Sequence, residues 1–290
     1  MPWTRIISSC VAIALALGSV ILGSWYFTCF FGIIVYLGQQ EYFQLARAKG
    51  IAPAAKTTLV VTQVTLITST ALPHLADAII PVAGSLICFY LLFQPKLASI
   101  TDIAASILGL FYGGHLPSYW VRLRALDTAA SANLPLDGYW PNPWPSFSGL
   151  PQGLSSTLLA FFCIWAADIG AYIMGRMVGR TRLSNISPKK TVEGAAFGVF
   201  ASVIVGIWGA HSLHWPLALI TGLCLGLIVG IASLLGDLTE SMMKRDAGVK
   251  DSGKLIPGHG GILDRADSYV FTAPLVYYFI TLLLPLLKQG

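Results

Sequence analysis

The sequence predicts an all-α protein: a polytopic transmembrane helix bundle of about nine spans, with its N-terminus on the cytoplasmic side. Three observations carry this. Hydrophobic residues make up 55% of the 290 and charged ones 11%, with a mean hydropathy of +0.71. A soluble domain carries about 25% charged residues, so this chain is too poor in charge to cover a water-facing surface. Apolar stretches recur along the chain, close to the roughly 20 residues that cross a bilayer. The basic residues between them fall mainly on one side.

In chain order, the N-terminal region 1–114 holds apolar stretches at 6–23, 25–38, 57–72, 78–93 and 99–113. The first follows Arg5 and has the outline of a signal peptide. It lacks a convincing small-residue cleavage site and outruns the usual apolar region of about 7–15 residues, so it reads as a retained span. Gly23, Ser24 and Trp25 separate it from the second. Residues 115–155 are rich in Pro, Ser, Asn and Gly and contain Trp120, Trp140 and Trp144. They read as an exterior loop with aromatic residues at the membrane interface. The region 156–290 holds the stretches 156–177, 194–213, 216–236 and 269–286. Gly222, Gly226 and Gly230 give the third of these a small-residue face suited to close helix packing.

Nine spans place fifteen of the eighteen Lys and Arg residues inside and only Arg122, Arg124 and Lys288 outside. Merging the first two stretches would set Arg5 against the other fourteen, which favours nine. The net charge of +5 is thus a matter of topology and anionic partners, not of nucleic acid. Cys10, Cys29, Cys88, Cys163 and Cys224 each lie in an apolar stretch without a CxxC pair. They are expected as small buried hydrophobes, not as disulfides or zinc ligands. His74, His115, His211 and His214 lie near outer span ends and suggest no metal site.

Chemistry concentrates in the C-terminal region, and the N-terminal half reads as chemically quiet. Asp168 lies near the middle of an apolar span, where a carboxylate costs about 2.5–3.5 kcal/mol, which points to a cation or substrate site. Ser187-Pro188 suggests a turn, followed by Lys189, Lys190, Thr191 and Glu193 at a helix start, a setting that favours a phosphate chain. The densest cluster runs from Gly236 to Ser268. If the preceding helix continues, Asp237, Ser241, Lys244 and Arg245 share one face. Carboxylates interleaved with bases suit Mg²⁺ and phosphate oxygens, and glycines let backbone approach a ligand. Gly248 to Lys254 matches GxxxxGK, but Leu255 stands where Ser or Thr would bind Mg²⁺, and no buried strand precedes it, so a P-loop is rejected.

Ser241-x-x-Lys244-Arg245, then Lys250-Asp251, then Pro257-Gly258-His259-Gly260-Gly261-Ile262-Leu263-Asp264-Arg265-x-Asp267 resembles the signature of the phosphatidate cytidylyltransferase, or CDP-diacylglycerol synthase, family. The segments 168–172 and 187–194 are similar to that family's upstream motifs, and Glu41-Tyr42-Phe43 leads into a basic segment in a familiar way. The resemblance implies transfer of CMP from CTP to phosphatidic acid, releasing pyrophosphate, in phospholipid biosynthesis. It implies Mg²⁺ held by Asp237 and Asp264, with K⁺ as an optional companion. The expected catalytic groups are Asp237, Lys244, Arg245, Lys250, Asp251, His259, Asp264, Arg265 and Asp267. The expected substrate-binding groups are Asp168, Lys189, Lys190, Ser241, Gly260 and Gly261. His259 would bind pyrophosphate if no general base is needed. The expected setting is a multi-pass protein of a bacterial cytoplasmic membrane, its site facing the cytoplasm among membrane lipids. A homodimer is compatible with the sequence and gains no support from it. The competing expectations are a CTP-dependent polyprenol or phytol kinase and, in another class, an ion-coupled transporter using Asp168.

Overall fold

The computed structural model describes residues 2–95, 97–255 and 260–287. His259 lies outside them, with Ile256, Pro257 and Gly258 of the same motif, as do Lys96 and Lys288. Among the described residues the regular structure is helical, apart from two isolated bridges. Five helical segments are long and apolar enough to cross a bilayer: Pro73–Leu92, Gln152–Val178, Val192–Ser212, Ala218–Asp246 and Leu263–Leu286. The chain is thus an integral, multi-pass membrane protein. The four expected stretches at 6–23, 25–38, 57–72 and 99–113 are largely helical too, but they fall outside these five.

Helices α1 (Pro2–Leu22) and α2 (Ser24–Ala48) part at Gly23, whose φ is +66°. The last carbonyls of a helix have no partner within it. Here Arg124 caps α1 from a distance, donating through Nε to Val20 O (2.5 Å) and through Nη2 to Ile21 O (2.9 Å). A side chain at Gly23 would run into that guanidinium, and left-handed backbone favours glycine in any case. Helix α3 (Ala55–Ala71) turns Thr58, Thr62, Thr65 and Ser69 inward. Next come α4 (Ala76–Leu92) and α5 (Ile100–Leu110). Ser99 and Asp102 form a reciprocal capping box at the start of α5.

The expected exterior loop begins differently from its sequence reading. A π-helical turn, Phe111–His115, carries α5 into α6 (Leu116–Arg124), all nine residues of which are buried. Pro117 comes just after the π turn, so a residue that reads as loop punctuation lies inside a continuous helical run. Trp120 is fully buried and donates to Tyr269 O (3.0 Å), a correction to its expected interfacial place. Trp140 and Trp144 are exposed and meet edge to face.

The C-terminal half is built from α7 (Gln152–Val178), α8 (Val192–Ser212), α9 (Ala218–Asp246) and α10 (Leu263–Tyr278). Glycines set the spacing of α8 and α9. A Cβ on Gly222 would overlap the backbone of Ile207, and one on Gly226 that of Val203. Gly226→Val is therefore expected to destabilise the fold by at least the ~1–3 kcal/mol typical of overpacking, read as a lower thermal midpoint in detergent. The cysteines are free, but only Cys163 is buried. Cys10, Cys29 and Cys88 lie on the outer surface, against the expectation of burial, because an apolar outer face suits a small apolar residue as well as a core does.

Candidate active site

One cavity of about 1790 Å³ takes in residues from both halves of the chain. Its apolar wall comes from α1 and α2, through Val11, Ile13, Leu15, Phe30, Phe31 and Ile33. Its charged lining comes from the C-terminal half. Helix α7 brings Asp168 and Arg176, α9 brings Asp237, and α10 brings Asp264, Arg265 and Asp267. Lys189 and Lys190 come from the connection between α7 and α8.

That connection is held locally. Lys190 N donates to Ser187 O (3.1 Å), closing the turn at Ser187-Pro188. Leu183 N donates to Lys190 O and Val192 N to Thr181 O, both at 2.9 Å, across the Arg182–Thr191 bridge. Thr191 caps α8 by accepting from Gly194 N (3.2 Å), while Glu193 accepts from Arg180 N and Thr181 N. The lysines thus stand on a short braced hairpin, and Lys190 Nζ pairs with Asp237 Oδ2.

Asp237 lies one helical turn before Ser241, whose Oγ donates to its Oδ1 (3.4 Å). Ser233, a turn earlier, donates to Asp168 Oδ1 (3.4 Å). Asp168, Asp237 and Asp267 lie close enough to repel one another. Lys190 offsets part of that charge. The lining therefore sets four carboxylates, Asp168, Asp237, Asp264 and Asp267, beside four bases, Arg176, Lys189, Lys190 and Arg265, an arrangement suited to cations and phosphates together.

Asp264 is satisfied differently. Its Oδ1 accepts from Lys244 Nζ (2.5 Å), and its Oδ2 from Ser252 N (3.0 Å), Ser252 Oγ (3.0 Å) and Gly261 N (2.9 Å). Lys244 Nζ also pairs with Glu240 Oε2 (2.5 Å), one turn back on α9. Glu240 is fully buried. One lysine is thus shared between two carboxylates held away from water.

Of the residues expected from sequence, Asp168, Lys189, Lys190, Asp237, Asp264, Arg265 and Asp267 line this one cavity. Ser241 and Lys244 stand behind it, buried, in contact with Asp237 and Asp264. Arg245, Lys250 and Asp251 are exposed beyond its lining. Arg245 donates through Nη1 to Val249 O (2.9 Å). Gly260 and Gly261 lie against Asp264. The N-terminal half is not quiet, as the sequence suggested. Gln39 and Tyr112 line the cavity, and Glu41 reaches Ser252, Ile262 and Leu263. Glu240 escaped the sequence reading, although it stands four residues before Lys244, the spacing of a helical ion pair. Glu41 was singled out only through Glu41-Tyr42-Phe43 leading into a basic segment, which gave it no role.

Among the described residues no three His, Cys, Asp or Glu side chains form a metal site by themselves. Mg²⁺ does not ask for one, since with nucleotides it takes one or two carboxylates and completes its shell with phosphate and water. Asp237 is a hard oxygen donor whose partners are Lys190 and Ser241, and it fits this use, whereas Asp264 already accepts from Lys244, Ser252 and Gly261 and would exchange one of these contacts for the ion.

Residues 3–283 match the cytidylyltransferase family. The chain is similar to the phosphatidate cytidylyltransferase of Synechocystis sp., at 65% identity over 292 residues that cover all of both chains. It is 40% identical over 278 residues to phosphatidate cytidylyltransferase 4, chloroplastic, of Arabidopsis thaliana, covering 93% of this chain and 71% of that one. It is 47% identical over 126 residues to the phosphatidate cytidylyltransferase of Staphylococcus saprophyticus, covering 43% of this chain and 48% of that one.

Proposed function

The chain belongs to the cytidylyltransferase family, and from that premise we propose that it converts CTP and phosphatidic acid into CDP-diacylglycerol and pyrophosphate. One observation supports this above the rest: a single cavity joins an apolar wall to a floor of carboxylates, lysines and arginine. A diacyl lipid needs the first and its phosphate the second. The transporter reading gains nothing from charges gathered at one cavity.

The lipid phosphate oxygen attacks the α-phosphorus of CTP, the α–β bridging oxygen leaves with pyrophosphate, and the new bond is the P–O–P link of CDP-diacylglycerol. Such chemistry is governed by alignment and charge neutralisation more than by covalent help. The attacking phosphate is already ionised at neutral pH, so no general base is required. Lys189, Lys190 and Arg265 neutralise phosphate oxygens in the cavity. Arg245 and Lys250, outside it, meet the triphosphate on its way in. Asp237 and Asp264 would hold Mg²⁺, which when bound draws charge from the phosphates. Asp168 and Asp267 would border a second, monovalent cation such as K⁺. Lys244 keeps Asp264 in place. Nine spans with the N-terminus inside would put this floor at the cytoplasmic face, in a bacterial cytoplasmic membrane, because most of the basic residues then lie inside.

Lys190→Ala is expected to lower kcat/KM for phosphatidate by about 10- to 150-fold, the equivalent of ~1.5–3 kcal/mol for a hydrogen bond to a charged group. The reaction itself is tested by the acceptor. Purified protein in detergent should release pyrophosphate from CTP when phosphatidate is present and none with diacylglycerol, polyprenol or phytol. Release of CDP with an alcohol acceptor would make it a lipid kinase instead.

A further inference from the structure

Helix α10 starts without a cap of its own. Its first N–H groups have no partner within the helix, and Ile262, at the N-cap position, has no side chain that can accept. The acceptor comes from α2. Glu41 Oε1 accepts from Ile262 N (3.0 Å) and Oε2 from Leu263 N (2.9 Å), across more than 200 residues of chain. Glu41 Oε2 also accepts from Ser252 Oγ (2.8 Å). The same hydroxyl stands 3.0 Å from Asp264 Oδ2, so its one proton is shared between the two carboxylates. Glu41 is 6% exposed and lies outside the cavity lining. Gly253 and Gly261 close around it, and a Cβ on either would overlap its carboxylate. These two glycines are needed for close approach.

We propose that Glu41 is a positioning residue for the reaction assigned above. It caps α10 and, through Ser252, orients Asp264, so that Asp264, Arg265 and Asp267 face the cavity. The N-terminal helices are then part of the catalytic apparatus as well as a wall for lipid.

The test compares wild type with Glu41→Ala, Glu41→Gln and Ser252→Ala in detergent, reading kcat, KM for CTP and phosphatidate, thermal midpoint and amide hydrogen exchange. Glu41→Ala should lower kcat about 10- to 100-fold, the loss typical when a group that orients a ligand is removed, with both KM values within about 3-fold. Exchange should rise at residues 260–267 and not in α3 or α6. Glu41→Gln keeps one acceptor oxygen and should recover part of kcat. Ser252→Ala leaves α2 intact and should show the same pattern more weakly, and it decides the matter if Glu41→Ala does not fold. Wild-type kcat with unchanged exchange in Glu41→Ala overturns the proposal. So does a loss of protection spread through α2, α3 and α6, which marks a packing role. The exchange readout needs no turnover, so an inactive wild type would count against the assigned reaction and leave the cap still measurable.

Discussion

Replacing Asp237 with asparagine is expected to leave a folded protein with almost no turnover. Asp237 joins two parts of the charged lining: Lys190 pairs with it from the α7–α8 connection, and Ser241 donates to it from the next turn of α9. Asparagine has nearly the same shape and no charge. The pair with Lys190 is 25% and 32% exposed, and its loss is expected to cost about 1 kcal/mol. The thermal midpoint should therefore change little. Catalysis loses the charge that would order cation and phosphates, and kcat should fall by at least about 10²- to 10³-fold, as when one preorganised electrostatic group is removed. A variant within 3-fold of wild-type kcat would take Asp237 out of the machinery.

Replacing Lys244 with methionine is expected to act in the opposite sense, on the fold first. Lys244 Nζ stands between Glu240 and Asp264, whose side chains are 0% and 8% exposed. Removing one partner of a buried ion pair costs about 3–5 kcal/mol, because the charge left behind has neither water nor a counter-charge. Here two carboxylates are left behind. The thermal midpoint should fall by several degrees or more, before any effect on rate is considered. Pairing the change with Glu240→Gln should recover part of the loss, since the two residues share one network and their effects do not add. A stable Lys244→Met protein that is merely inactive would return Lys244 to direct phosphate binding.

Local pattern made part of this molecule legible. Gly222 and Gly226 announce close packing because helical spacing puts them on one face. Asp237 and Ser241 are one turn apart, and the helix does continue through Asp246, so their shared face followed from periodicity. Long-range contacts were not legible. The partners of Glu41 lie 211 to 222 residues away, and no local pattern marks a helix cap supplied by another helix. Trp120 and Pro117 read as loop because their composition suits one. Burial against α10 and a π turn that carries α5 into α6 decide otherwise. The polar residues of α2 and α3 behave differently again: Gln39 and Glu41 reach other helices, whereas Thr58, Thr65 and Ser69 bond back to carbonyls four residues earlier, so neither helix reads as simply apolar.

In the proposed reaction one cavity brings a lipid phosphate to the α-phosphorus of CTP. This is tested most directly by following α-labelled CTP in detergent micelles with purified protein, phosphatidic acid and Mg²⁺, with and without EDTA. The label should move into the lipid phase, matched mole for mole by pyrophosphate, and EDTA should stop it. Label that stays in the aqueous phase while a γ-label enters the lipid, from a sample shown to be folded, would contradict it.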